Sequence, residues 1–450
     1  MRARVTRRRL LKTAGAVGLG AMAAGMRLPA VSAQAPTRIV FWHAMGGNLG
    51  ETVVQAFVNK FNESRKDVQV EAQFQGSYDD LINKLRASLG SSAVPAVSQV
   101  YDIGTRFMVD SKAVVPVQDF IDREKFDVSQ FEPNILAYYR VGNRLYSMPF
   151  NTSTAILYYN KDMFKQAGLN PDQPPRTFEE IEAYATKLVR GGATQSGITI
   201  AIYGWFFEQL LARQGVLYAN NGNGRDAPAT AVVYDHEEQG ARILEWWARM
   251  VKNGVATNPG RPTAASQRAF AAGQTAMTVD STAVLKSLLT QSGGRFQLGT
   301  GYFPKPPDAK TGGSIVGGAS AWILRGRPPA EQQAAWEFVK FISAPPQQAA
   351  WYVGTGYFPV RRDAYREPVA QQTLAQYPQF LTAISELRNS PINRATQGAL
   401  LGVFPEARQK SEDAIEATVL GRKSPQQALV DAARDVNQAI AVYNRTMGIK

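Results

Sequence analysis

Along the early part of the chain the spacing of apolar residues switches between two periods. Arg38 to His43 reads as a short apolar strand, followed by the turn residues Gly46, Gly47 and Asn48, and then Val53, Phe57 and Phe61 recur at helical spacing. Val68, Val70, Ala72 and Phe74 alternate as a half-buried strand does, Leu81, Ile82, Leu85 and Leu89 return to the helical period, and Val97 to Tyr101 is again a strand. Strand and helix in this alternation predict an α/β fold with a largely parallel sheet.

The rhythm changes near Arg144. Two strand-like runs, 145–148 and 155–159, flank Pro149, Phe150, Asn151, Thr152 and Ser153, which reads as a crossover between two lobes. Thr177-Phe178-Glu179-Glu180 is a capping box that starts a helix running to Leu188. Ile243, Trp246, Trp247 and Met250 form the apolar face of another helix, so these tryptophans are core residues. Segments 299–304 and 354–359 are two further Gly/Pro/aromatic junctions, and Ser424-Pro425 supplies an N-cap and first-turn proline for a C-terminal helix. Three junctions in one α/β chain predict two lobes built from discontinuous segments and joined by a hinge. One lobe takes 34–150 plus 300–358 and the other 151–299 plus 359–450. The cleft between them, at the carboxyl ends of strands, is the natural ligand site.

Composition adjusts this picture at the N-terminus. Thr6-Arg7-Arg8-Arg9-Leu10-Leu11-Lys12 matches the twin-arginine export pattern, an apolar stretch runs from Thr13 to Met26, and Val31-Ser32-Ala33 is a small-x-small cleavage site. The stretch is shorter than the roughly 20 apolar residues a membrane span needs. Residues 1–33 are therefore expected to be a cleaved signal peptide, leaving 417 of 450 residues in the periplasm. The signal holds seven basic residues and no acid, so the net charge falls from +13 to +6 on cleavage. A mild excess of that size implies neither nucleic acid nor a membrane surface as partner and is compatible with an anionic small ligand. With no cysteine, disulfides, thiol catalysis, Cys-bound zinc and a lipidated cysteine are excluded.

A search for catalysis finds little. The only histidines, His43 and His236, are far apart in sequence, and His43 at a strand end reads as a packed residue. There is no phosphate-cradling Walker loop, no dinucleotide fingerprint followed by an acid, and no nucleophile elbow. A secreted phosphodiesterase would need metal ligands or an acid/base pair in the cleft. The reading is a ligand trap, without enzyme activity and without a cofactor.

Several motifs in order carry a resemblance. They are Phe41-Trp42-His43, Gln75-Gly76-Ser77-Tyr78, Gln99 to Gly104, Pro149 to Thr154, Leu157 to Asp162, Gly317 to Ser320, Thr355 to Pro359 and Ser424 to Leu429. Over nearly the whole mature length the chain resembles the glycerol-3-phosphate-binding proteins of ABC importers, a branch of the family 1 sugar-binding proteins, which implies the two-lobed α/β periplasmic binding protein fold. The resemblance implies a ligand shell in which Tyr78, Ser153, Ser281, Gly318, Tyr357 and Arg408 hold a phosphate and Asp102 accepts glycerol hydroxyls. Hydroxyls, a backbone amide and a guanidinium fork are donors, as a phosphate requires, whereas a carboxylate suits a diol. Trp42, Ile202, Tyr203 and Trp205 are further candidates. Asp102 is one methylene shorter than the Glu usual in the family, and Ile202 stands where a Trp is common, which makes room for a phosphodiester such as glycerophosphocholine. The implied partners are permease subunits with their ATPase, the protein itself being a monomer. An oligosaccharide or polyol receptor is the alternative within the same class.

Overall fold

The computed structural model describes residues 35–449, and the expected signal peptide over residues 1–33 lies outside them. Two sheets organise the fold. In the first, the strands run in the order Val68–Phe74, Thr37–His43, Val97–Tyr101, Gly317–Leu324 and Val114–Val115, with Met148–Ser153 also paired to Gly317–Leu324. In the second, the order is Ala256–Thr257, Ser196–Thr199, Thr275–Ser281, Ala155–Asn160 and Leu298–Tyr302.

Each sheet is mixed, which corrects the expectation of a largely parallel one. The first three strands of each sheet are parallel. Gly317–Leu324 then runs antiparallel to its three partners, and Ala155–Asn160 runs antiparallel to both of its own. The antiparallel strands come from distant parts of the chain, which the local period cannot report. A second correction concerns Pro149 to Ser153. This segment is itself a strand of the first sheet, and Ala155 already belongs to the second, so Thr154 alone separates them.

The segment 299–304 is corrected likewise, since Leu298–Tyr302 is a strand of the second sheet; the helices and caps match the local readings. Helix Glu51–Ser64 buries Phe57 and Phe61 with Val54 and Val58, and Tyr78–Ser88 buries Leu81, Ile82 and Leu85. The capping box at Thr177 is formed, and an equivalent one at Ser77 and Asp80 begins Tyr78–Ser88. Ser424 accepts from the Gln427 amide at the start of helix Pro425–Thr446. That helix pairs with Phe404–Val419, and both pack on Glu238–Lys252, whose Ile243, Trp246, Trp247 and Met250 are buried. His43 is buried and makes no hydrogen bond through Nδ1 among the described residues; burial lowers its pKa to about 4, so it stays neutral. No helix among the described residues is long and apolar enough to cross a membrane.

Candidate functional site

Strand Val97–Tyr101 runs into a tight 3-10 turn, Asp102–Gly104, which sets Asp102 just past the strand's carboxyl end. Facing it are two helices that pack on one another, Gly204–Arg213 and Phe404–Val419. The first is buried along its entire length, and Glu208 is its only acid. From the second, one turn in, Arg408 reaches both carboxylates. Its Nε donates to Glu208 Oε1 at 2.7 Å and its Nη2 to Glu208 Oε2 at 2.8 Å, while Nη2 also reaches Asp102 Oδ2 at 3.1 Å. All three side chains are buried. Burial pushes the Glu208 carboxyl up to about 7 and raises Asp102 as well, against the pull of Arg408 in each case. Burial works against the guanidinium charge, yet the two carboxylates hold its pKa well above the ordinary value. The Arg408 guanidinium also lies 5.7 Å from the centre of the Tyr203 ring, within cation–π range.

A second group of side chains adjoins Asp102. The Tyr78 ring stacks on Tyr101 at 5.3 Å, and its hydroxyl accepts from Asn151 Nδ2 at 2.8 Å beside the Tyr357 hydroxyl. Asn151 is fixed in turn, because Gln99 Nε2 donates to its Oδ1 at 2.7 Å. Tyr357 stacks on Trp351 at 5.7 Å, and the bridge between Thr152 and Phe358 ties its segment to strand Met148–Ser153. Gly318 sits opposite Thr152 with φ +95, and a Cβ there would come within 2.0 Å of the Asn151 carbonyl oxygen, so only glycine fits. Its neighbour Gly317 pairs with Ser153, and the Trp205 indole lies against Gly317 so closely that a Cβ would come within 2.5 Å of it. Trp205 Nε1 and the Tyr139 hydroxyl are buried without a hydrogen-bond partner among the described residues.

Ser281 joins this group through its neighbours. Thr282 donates its amide to the Thr154 carbonyl at 2.9 Å and its hydroxyl to the Gly356 carbonyl at 3.0 Å, next to Ser153 and Tyr357 respectively. The Ser281 hydroxyl itself accepts from the Ala283 amide at 3.1 Å, capping the short turn that follows.

Beside these residues opens a cavity of about 860 Å³ between helix Tyr78–Ser88 and the two C-terminal helices. Of the eleven candidates, Tyr78, Tyr203 and Arg408 line it, together with Asp79, Tyr101 and Glu412. The other eight do not line it, and the surroundings of Trp42 and Ile202 among them are distinct. Trp42, near the carboxyl end of an inner strand of the first sheet, donates its indole N–H to Gln73 at 3.0 Å. Ile202 is buried in the core, its amide bonded to the Gly260 carbonyl at 2.8 Å, and Tyr203 reaches the cavity instead. Sequence reasoning missed Glu208, Asn151 and Tyr139. Glu208 did leave a signal: an acid inside the apolar run Trp205, Phe206, Phe207, Leu210, Leu211 has no solvent-facing reason to be there.

The two sheets, the single-residue passage between them and the polar cluster at strand ends define a two-lobed solute receptor. The chain belongs to the bacterial extracellular solute-binding protein family, whose pattern it matches over residues 56–382. It is 34% identical to the sn-glycerol-3-phosphate-binding periplasmic protein UgpB of Escherichia coli K12 over 442 residues, covering 96% of this chain and 98% of that one. Among solved structures it is similar to UgpB from Mycobacterium tuberculosis in complex with glycerophosphocholine, with a TM-score of 0.77 and 22% identity over 90% of this chain and 99% of that one. The sugar-binding protein MalE of Xanthomonas citri has the same fold, with a TM-score of 0.75 and 20% identity over 92% and 100% of the two chains. The protein is thus a solute-binding component of an ABC importer, acts outside the cytoplasm, and is not an enzyme.

Proposed function

We propose that this receptor captures glycerol-3-phosphate or glycerophosphodiesters such as glycerophosphocholine in the periplasm and delivers them to its permease and ATPase subunits. The observation that carries the reading is the 34% identity to UgpB across 96% of the chain. The chemistry of the cluster supports it. Arg408, the hydroxyls of Tyr78, Ser153, Ser281 and Tyr357, and the Gly318 amide supply donors for a phosphate, and Asp102 accepts from the glycerol hydroxyls. Tyr203 and Trp205 form aromatic walls, and the partnerless Trp205 N–H and Tyr139 hydroxyl are further groups that a ligand oxygen would satisfy.

A thermal-shift series tests this directly, since a ligand bound only by the folded state raises the melting temperature by mass action. Glycerol-3-phosphate or glycerophosphocholine should raise Tm, while inorganic phosphate and maltose leave it nearly unchanged. A rise with maltose alone would transfer the protein to the oligosaccharide receptors.

Three further proposals accompany the ligand. The division of the strands between two sheets supports two lobes, 34–150 with 300–358 and 151–299 with 359–450, with two boundaries shifted to the strand ends, since residues 151–153 pair in the first sheet and 300–302 in the second, and the protein works as a monomer. Limited proteolysis and mass analysis of the mature protein check both. The twin-arginine pathway exports it folded with cleavage after Ala33, and replacing Arg7 and Arg8 with Lys should stop the mature protein reaching the periplasm.

A further inference from the structure

Beside the cavity, whose lining also carries Arg86 with Asp79, Glu406 and Glu412, one guanidinium and two carboxylates are in direct contact. Glu208 uses both oxygens on Arg408, and Asp102 shares Nη2, so once Glu208 has ionised, above its pKa of about 7, this trio carries one net negative charge before any ligand arrives. Arg408 Nη1 has no hydrogen-bond partner among the described residues, and Arg408 lines the cavity. A ligand oxygen can therefore take Nη1 without displacing Glu208. In sequence Glu208 falls among Phe206, Phe207, Leu210 and Leu211, in a buried helix with no other charge until Arg213. There a leucine would pack without the desolvation cost that an acid incurs.

We propose that Glu208 sets the charge class of the ligand, so that the site favours a phosphodiester monoanion over a phosphomonoester dianion. This rests on the phosphate-ester reading above. A monoester carries about −1.5 to −2 near pH 7, with its second ionisation near pH 6, whereas a diester stays at −1. The extra charge of the dianion falls beside two acids that a single cation already serves, in surroundings that screen poorly. The other charged or titratable groups that bear on Glu208 are Glu412, which adds to the negative field, and Tyr138, Tyr203 and Tyr218, which burial keeps neutral.

Calorimetry decides the point with three probes: glycerol-3-phosphate, glycerophosphoglycerol and glycerophosphocholine. The parent at pH 7.5 should bind the diesters more tightly, and Glu208→Gln, which keeps the shape and an acceptor but loses the charge, should narrow the gap by about tenfold. If Glu208 only orients Arg408, both ligand types weaken together and an unchanged ratio overturns the proposal. Should the variant fail to fold, the parent alone gives the answer. Lowering the pH from 7.5 to 5.5 converts the monoester to its monoanion and should raise its affinity relative to glycerophosphoglycerol, whereas a flat ratio overturns the proposal. If the parent binds none of the three, the ligand reading itself falls and takes this proposal with it.

Discussion

Two arginines of this protein are held in opposite ways. Arg225 is caged by main-chain oxygens: it donates to the carbonyls of Gly398 at 2.7 Å, Tyr138 at 3.1 Å and Arg140 at 3.2 Å, and also to that of Gln397. Arg408 is held by the side chains of Glu208 and Asp102. Backbone carbonyls neither titrate nor rotate away, so the first arrangement is a fastener between segments 138–140 and 397–398. Carboxylates do both, so the second can redistribute its partners when an anion arrives. Burial lowers the pKa of Arg225 to about 10, while Arg408 is driven upward by its acids despite burial. The contrast is between a cation enclosed by fixed acceptors and one enclosed by acceptors that can titrate and move.

The sharpest way to break this contrast is Arg408→Ala. It should cost about 2–5 kcal/mol of binding, or roughly 30- to several-thousand-fold in affinity, because a charge-assisted contact to the ligand is lost. Binding within about threefold of the parent by calorimetry would place the phosphate elsewhere. Next in size, Arg225→Met should lower the unfolding free energy by about 2–3 kcal/mol in chemical denaturation while leaving ligand affinity nearly intact. A large loss of affinity with unchanged stability would reverse the roles of the two arginines.

The smallest expected effect is a pH dependence. Glu208 ionises less readily in the fold than in the open chain, its pKa rising from an ordinary 4.5 to about 7. Its contribution to stability is therefore full below the ordinary carboxylate range and is lost as pH rises through about 7. Without ligand, the parent should melt lower at pH 8 than at pH 5, and Glu208→Gln should remove about 1–2 kcal/mol of that difference. Glu386, held up to about 7 by burial beside Arg213, should keep the remainder.

How much of this could be read beforehand follows from how local each feature is. The strand Val97–Tyr101, the box at Thr177 and the cap at Ser424 depend on a few adjacent residues, and the sequence displays them openly. The antiparallel placement of Gly317–Leu324 depends on partners more than a hundred residues away, and no period in the chain encodes it. The cluster divides along the same line. Arg408 and Asp102 came from a family resemblance, and the structure sets them 3.1 Å apart. Glu208 belonged to no quoted motif, and its meaning appears only once the helix carrying it is seen to be buried throughout.

The passage at Thr154 has a mechanical consequence. Strands Met148–Ser153 and Ala155–Asn160 make one continuous ribbon that leaves one sheet and enters the other across a single residue. When one body turns against another about such a point, each atom travels an arc proportional to its lever arm. Were Thr154 such a pivot, Ser153 beside it would barely move, while side chains farther out would sweep through the widest arcs. A solute would thus meet the same seat near the pivot whether the jaws stand apart or together, and only the distant groups would have to arrive.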